Sequence, residues 1–361
     1  MIMDELNNID LNRVTNLDIK ILHRNWKQAF AEAFVLMTTA MPGEVISIVG
    51  PTRAGKTELL RQLGNAVCGV GHENRQGEEQ PIVAVELVND DVHASFSFRS
   101  FIIQALEVVR HPFYSSGSPD GWGDPATERR IEQAREKTLN RALIRALRMR
   151  KTRFLIIDEA QHIRYVSRNA QAAVSVMDAL KAMAKNAGVV LIVAGTYPIL
   201  EAINRSSHME GRKHDVHLSR YHQTKEDIAE FQWLLEHYDA ALELDESLPS
   251  LMDCTELLYK GTFGCIGLVR AWLYRASVQA ATRQQKIDLP LLEETKKSPM
   301  QLYSIAEEIL VGETTLGIVP CEALKSVVES QAPIKSKKSK TKSATKPFQR
   351  KPKRFDPENR I

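Results

Sequence analysis

A glycine-rich loop directly after a short apolar run constrains this chain more than any other feature. Glu44–Val49 is a mainly apolar run, rich in β-branched residues, which predicts a buried strand. It leads into Gly50–Thr57, whose sequence GPTRAGKT fits the pattern GxxxxGK(S/T). In such a loop, backbone N–H groups surround phosphate oxygens, and the following helix points the positive end of its dipole at them. The motif therefore predicts a strand, a phosphate-binding loop and a helix in that order.

We expect this loop to bind ATP. Lys56 is predicted to reach the β- and γ-phosphates, and the Thr57 hydroxyl is predicted to bind Mg²⁺. The predicted nucleotide-binding residues of the loop and the first helical turn are Gly50, Pro51, Thr52, Arg53, Ala54, Gly55, Lys56, Thr57 and Glu58. The same pattern arises by chance in unrelated chains, so a second signal is needed.

That second signal is a pair of carboxylates at the end of another buried strand. Phe154–Ile157 is apolar throughout, and Asp158 and Glu159 follow it directly. Asp158 is predicted to hold Mg²⁺ through water, and Glu159 to polarise the water that attacks ATP. A carboxylate after a strand can also cap a helix, but the phosphate-binding loop earlier in the chain favours the nucleotide site. The sequence therefore predicts an ATPase.

The order of apolar runs and helical patterns predicts the fold. Apolar strands without polar alternation, separated by helices, are typical of a parallel sheet covered on both faces. We predict an α/β fold, a three-layer αβα domain with a five-stranded parallel sheet, followed by a small helical lid. The predicted boundaries are a helical lead segment at 1–42, the nucleotide-binding domain at 43–221, the lid at 222–320 and a basic, disordered tail at 321–361.

Composition and charge narrow the class of protein. No stretch of eighteen apolar residues is present and the first residues are acidic and polar, so we expect a cytoplasmic protein with no membrane partner. The four cysteines are scattered without metal-ligand spacing and are expected to be reduced. Ten basic and no acidic residues lie between Lys335 and Arg354, a pattern typical of a tail that binds polyanions or acidic partners.

With these motifs assembled, the chain resembles AAA+ ATPases, and among them the TnsC/TniB regulators of transposition. The resemblance covers roughly residues 15–300 and rests on five features: GPTRAGKT, FLIIDEAQH, LIVAGT followed by Tyr-Pro, a loop ending in HLSRY, and a GxxGxxG lid helix. This family serves transposons of the cut-and-paste type, CRISPR-associated ones among them. Segments 71–80 and 111–130 and the basic tail depart from the family pattern.

The resemblance implies further site residues. Thr196, at the end of the third apolar strand, corresponds to the polar residue that helps to place the attacking water; a simple strand-end turn is the alternative. Arg212, with Arg205 as second choice, would act on the nucleotide of a neighbouring subunit, unless it is a solvated loop arginine. Arg270 on the lid helix would face the nucleotide or lie at the surface.

The resemblance also implies partners. ATP-bound subunits would form a ring or helical filament on duplex DNA and connect a target-selector protein to the transposase subunits. Arg99 is the residue carried over as a contact to the DNA backbone, and the hydroxyls of Ser115 and Ser116 are added as phosphate contacts. The arginines of 132–150 are more simply the solvated face of an amphipathic helix. Low aromatic content favours phosphate contacts that are independent of base sequence.

Two other functions remain open at this stage. One is a DNA-loading switch of the replication-initiator kind, which would require a winged-helix domain after the lid, and 290–333 is short for one. The other is a P-loop kinase that phosphorylates a small molecule. The adjacent carboxylates, the arginine loop and the helical lid favour attack by water in an oligomer instead.

Overall fold

Strands and helices alternate along the chain, which the computed structural model describes over residues 21–70, 79–88, 96–115, 124–166, 170–205, 213–318 and 325. The strands are β1 (Val45–Val49), β2 (Ile82–Glu86), β3 (Phe154–Asp158), β4 (Val190–Gly195) and β5 (Lys213–His217). The helices are α1 (Arg24–Thr39), α2 (Lys56–Cys68), α3 (Phe98–Val108), α4 (Pro125–Gln133), α5 (Glu136–Met149), α6 (Ala170–Ala187), α7 (Ile199–Asn204), α8 (Lys225–Asp239), α9 (Thr255–Thr262), α10 (Ile266–Thr282), α11 (Leu289–Glu294) and α12 (Pro299–Thr315). Within these ranges no helix is long and apolar enough to cross a membrane.

The five strands form one parallel sheet in the order β2-β3-β4-β1-β5. Every residue of β1, β3 and β4 is buried, as expected for the inner strands of a covered sheet. The carboxyl ends of these strands lie at one edge, so the loop after β1, the end of β3 and the residue after β4 are brought together there. The predicted five-stranded parallel sheet is confirmed.

Helices cover both faces of the sheet. On one face, α1 and α2 pack against side chains that include Ile48 and Ile192. On the other, α3, α5 and α6 pack against the intervening residues, Leu155 and Val193 among them. Alternate strand residues therefore enter two separate apolar layers, and the predicted three-layer αβα arrangement is confirmed.

A smaller helical unit follows the sheet domain. Helices α8 to α11 enclose a separate apolar cluster around Phe231, Leu258 and Trp272. The indole N–H of Trp272 donates to the carbonyl oxygen of Leu292 at 3.0 Å, which joins α10 to α11. Asp288 caps α11 through its side chain.

The last described helix, α12, packs against the sheet domain rather than against the lid cluster. It falls inside the range predicted for the lid, and the sequence analysis did not identify it. Ala306 and Ile309 are buried in the main core. A Cβ atom at Gly312 would lie 2.0 Å from Cγ of Tyr197, so only glycine allows this approach. Helix α12 therefore lies beside the end of β4.

Candidate nucleotide-binding site

The loop after β1 has the backbone that a phosphate cradle requires. Gly55 has a φ of +93° and Arg53 a φ of +59°, so the chain turns through left-handed conformations before α2 begins. A Cβ atom at Gly50 would lie 2.5 Å from the carbonyl oxygen of Leu218. Gly55 gives α2 no side-chain cap, which leaves the first N–H groups of the helix directed into the loop.

The ammonium group of Lys56 lies inside this loop. It is buried and donates to the carbonyl oxygens of Gly50 at 3.2 Å and Pro51 at 2.9 Å. Burial lowers the pKa of Lys56, while the negative charges of Glu159 and Asp158 act in the opposite direction. The predicted phosphate-binding cation is therefore placed at the loop, facing the carboxylates at the end of β3.

Two oxygen groups suited to Mg²⁺ meet beside it. The Thr57 hydroxyl donates to Oδ2 of Asp158 at 2.6 Å, which joins the start of α2 to the end of β3. Asp158 also accepts the backbone N–H of Glu159 at 2.8 Å through Oδ1. Mg²⁺ is usually held by one or two carboxylate or hydroxyl oxygens together with substrate phosphates. The two residues predicted to hold the metal thus fit that donor set.

Glu159 has a strained backbone. Its φ is +52°, a left-handed conformation that costs a non-glycine residue on the order of 1–3 kcal/mol. Strain of this kind is concentrated at functional sites, where the surrounding structure maintains it. Here the turn directs the Glu159 carboxylate away from the strand and toward Gln161.

Gln161 connects the predicted catalytic carboxylate to β4, and the sequence analysis assigned it no role. Its amide N–H donates to the Glu159 carboxylate, and its Oε1 accepts the backbone N–H of Thr196 at 3.0 Å. A Cβ atom at Gly195 would lie 2.7 Å from that Oε1. Its place in the segment DEAQH, directly after the two carboxylates, could have pointed to a role in the site. Its contact with Thr196 could not be predicted, because it depends on the pairing of β3 with β4.

Thr196 meets a second carboxylate that sequence reasoning missed. Thr196 lines the same groove as Glu308 of α12. Burial raises the pKa of Glu308, while the nearby Lys56 and Thr196 oppose that shift. The end of β4 therefore contacts Gln161 on one side and α12 on the other.

A cavity of about 330 Å³ opens beside the loop and is suited to a nucleoside. Its walls come from the segment before and within α1, from the loop and from the lid; they include Ile21, His23, Trp26, Arg53, Gly55, Glu58, Tyr221, Gly267 and Arg270. Arg270 lines this cavity, and its role toward the nucleotide stays a prediction. The wall formed by α1 was not predicted.

The GxxGxxG segment permits the lid to approach the loop. A Cβ atom at Gly267 would lie 1.8 Å from the carbonyl oxygen of Arg53, and one at Gly264 would lie 2.0 Å from that of Tyr221. Any larger residue would force the lid away from the loop. The GxxGxxG motif was visible in the sequence, and these close contacts give the physical reason for its glycines.

The arginines predicted to act between subunits lie elsewhere. Arg205 follows α7, has a side chain that is 58% exposed and pairs with Glu201 at 3.2 Å. It lines a separate groove of about 700 Å³, together with Thr196 and residues of α12. Arg212 lies outside the described residues.

Arg99 is engaged within the protein. Its guanidinium donates to the carbonyl oxygens of Ala134 and Ile131, both at 2.6 Å, and of Glu132 at 3.3 Å, where α4 ends. It therefore caps the C-terminus of a helix, a role that the resemblance did not imply. Ser115 is partly buried in the turn after α3, and Ser116 lies outside the described residues.

Residues 40–203 match the family model described as AAA domain. Over this range the chain is similar to AAA domains. The matched range begins before β1 and ends within α7, so it contains the phosphate-binding loop, Asp158, Glu159 and Thr196. The match supports ATPase activity in general. The finer assignment to TnsC/TniB regulators stays a prediction.

Several solved structures are also similar to the chain. They include a Walker-type ATPase of Pyrococcus abyssi (16% identity over 83% of this chain and 78% of that one, TM-score 0.47), the ORC2 protein of Aeropyrum pernix in ADPNP–ADP complexes (15%, 87% and 82%, 0.46) and Cdc6p of Pyrobaculum aerophilum (16%, 89% and 89%, 0.49). Likenesses at these scores carry no information on substrate or partner. No curated protein matches the sequence.

Proposed function

We propose that this AAA ATPase is a regulator of DNA transposition, which assembles on duplex DNA with ATP and connects a target-selector protein to the transposase. The observation that supports its ATPase cycle is the convergence of Lys56, Thr57, Asp158, Glu159 and Thr196 at one edge of the sheet. The partners and the biological process are inferred from the sequence resemblance.

The site residues suit hydrolysis by water. In this mechanism Lys56 exchanges its two carbonyl partners for oxygens of the β- and γ-phosphates. Glu159 accepts a hydrogen bond from the water that attacks the γ-phosphorus, and the bond to the β,γ-bridging oxygen breaks. Gln161 orients Glu159 and also holds the amide of Thr196. When bound between Thr57 and Asp158, Mg²⁺ would neutralise charge on the phosphates.

The position of Arg205 favours action between subunits. Its guanidinium is exposed at the end of α7 and does not line the cavity formed by the loop and the lid. An arginine that supplies charge to a neighbour's γ-phosphate must be accessible in this way. We therefore propose a homo-oligomer in which Arg205 or Arg212 completes the neighbour's site.

A basic groove offers a surface for DNA, whereas Arg99 is engaged at the end of α4. It has a volume of about 820 Å³ and lies between the turn after α3 and the exposed face of α5, with Arg110, Arg141, Arg145 and Arg150 among its lining residues. Among the residues that the structure describes, no carboxylate lines this groove. Arginines gathered in this way suit phosphate contacts that do not depend on base sequence.

Electron microscopy of the full chain with duplex DNA tests this function. Rings or filaments should form on DNA with a non-hydrolysable ATP analogue and should be absent with ADP. Turnover should need no acceptor other than water. Assembly that ignores the nucleotide would contradict the proposal, and turnover that requires a small-molecule acceptor would favour the kinase alternative.

A further inference from the structure

Helix α12 brings a carboxylate to the catalytic edge of the sheet that the hydrolysis mechanism does not use. Glu308 is partly buried and lines the same groove as Thr196. Its Oε1 atom is fully buried and has no hydrogen-bond partner among the described residues. The charge of Glu308 also acts on Lys56, together with those of Glu159 and Asp158.

The position of this carboxylate is fixed by the contacts of α12. Gly312, four residues further along the helix and therefore on the same face, lies directly against the ring of Tyr197. One residue later, Glu313 receives two hydrogen bonds from Arg220, at 2.7 and 2.9 Å, and both side chains are completely buried. These contacts hold Glu308 at Thr196.

The groups that Glu308 approaches are those proposed for the γ-phosphate. Lys56 is the cation for the β- and γ-phosphates, and Thr196 is placed beside the attacking water. A carboxylate at this point repels a γ-phosphate, and the repulsion is stronger in a partly buried site than in water. ADP has no γ-phosphate and is affected less.

We propose that Glu308 is a specificity-determining residue that weakens the binding of ATP relative to ADP. This role rests on the proposed nucleotide site and assigns control of its nucleotide preference to α12 of the same chain. The Glu308 carboxylate repels the γ-phosphate of ATP, and ADP has no phosphate at that position. Because Glu308 lies on α12, binding of the γ-phosphate and docking of α12 are coupled.

The test is a comparison of two dissociation constants in the full chain with Mg²⁺, for ADP and for a non-hydrolysable ATP analogue. Glu308→Gln keeps the shape of the side chain and removes its charge. It should tighten binding of the ATP analogue by about three- to tenfold, the size of one partly screened charge pair. The dissociation constant for ADP should change less than about twofold.

Glu307→Gln is the matched control, because Glu307 is exposed on the same helix and contacts Tyr303 instead. It should leave the ratio of the two constants unchanged. An unchanged ratio in Glu308→Gln, or weaker binding of the ATP analogue, would overturn the proposal. Failure of the wild-type chain to bind either nucleotide would instead contradict the proposed nucleotide site. Circular dichroism melting of both variants shows whether α12 stays docked.

Discussion

Gln161 shows how single side chains join separate parts of this site. One end of its amide holds the carboxylate predicted to activate water, and the other end accepts the N–H that follows β4. Glu159 itself is kept in a left-handed turn. Glu159 and Gln161 both follow β3, and Gln161 is hydrogen-bonded to the residue after β4. Small movements of β3 against β4 therefore change the position of the Glu159 carboxylate. Catalysis at this site therefore depends on the register of two strands as well as on residue type.

Two substitutions separate binding from hydrolysis. Glu159→Gln should retain ATP binding and lower kcat by about 10²–10⁴-fold, because an amide does not accept the proton of water in the same way. Lys56→Ala should weaken ATP binding at least about tenfold, since charge-assisted hydrogen bonds of roughly 1.5–3 kcal/mol are lost. Binding isotherms and steady-state phosphate release measure the two effects. Equal kcat in Glu159→Gln and wild type would remove Glu159 from the mechanism.

The residues that sequence could identify are those whose role follows from local context. The loop residues, Asp158 and Glu159 stand at strand ends, where a motif and an apolar run coincide. Glu308 has no such signal, because an acidic residue on a helix is ordinary until α12 is known to pack beside β4. The capping role of Arg99 is hidden for the same reason, since its partners lie on α4.

Among the elements, the inner strands were predictable and the edge strand β5 was less so. The runs in β1, β3 and β4 are apolar because both faces are buried. Strand β5 reads Lys-His-Asp-Val-His and is only partly buried, so no apolar run marks it. Helix α12 was missed because its partners, Tyr197 and Arg220, are distant in sequence. Its docking depends on contacts that no periodicity reveals.

The buried ion pair should carry much of the docking of α12. Glu313→Gln leaves the Arg220 guanidinium buried without its carboxylate, and breaking a buried pair in this way costs about 3–5 kcal/mol. Burial alone would lower the pKa of Arg220, but the hydrogen bonds and charge of Glu313 hold it above its ordinary value. Urea unfolding of the full chain measures the loss of stability.

Arg283→Met is the control, because Arg283 and Glu294 form an exposed pair with similar geometry. That substitution should change the unfolding midpoint little. The double variant Arg220→Met/Glu313→Leu should recover part of the stability lost in Glu313→Gln, since no charge is then left unpaired. Equal midpoints for Glu313→Gln and wild type would show that the pair does not hold α12.

At the scale of the whole molecule, basic residues are concentrated in two regions, and the rest of the sequence is more acidic. The described lining of the basic groove between α3 and α5 includes four arginines and no carboxylate. The sequence after Ile334 adds ten basic residues before the next acidic one. The rest of the chain therefore carries more acidic than basic residues, since the total is only +3. Two separate basic regions are thus available to a polyanion.

Salt dependence of DNA binding distinguishes the surfaces. The double variant Arg141→Ala/Arg145→Ala should lower the slope of log affinity against log salt by about 2, since each neutralised phosphate contributes about 0.9. Arg99→Ala should leave the slope unchanged if its guanidinium serves only α4. Fluorescence anisotropy with a labelled duplex and an ATP analogue measures both. A slope lowered by Arg99→Ala alone would restore the contact implied by the resemblance.

The same titration with 334–361 removed tests the tail. Loss of slope in proportion to the removed charge would identify an electrostatic anchor to DNA. An unchanged slope together with lost stimulation of transposition would identify a contact to the transposase. If the slope and the stimulation of transposition both stay unchanged, the tail contributes to binding of neither DNA nor the transposase.

The position of Trp26 gives the protein an internal optical reporter. Its indole lines the nucleotide cavity, is largely buried and stacks on Phe30 with ring centroids 5.3 Å apart. A Cβ atom at Gly55 would lie 3.9 Å from its Cδ1, so the ring lies against the phosphate-binding loop. Indole emission responds to nearby charge and to water. Stopped-flow fluorescence should therefore report nucleotide exchange in the unlabelled chain, with Trp26→Phe as the control for emission from the other tryptophans.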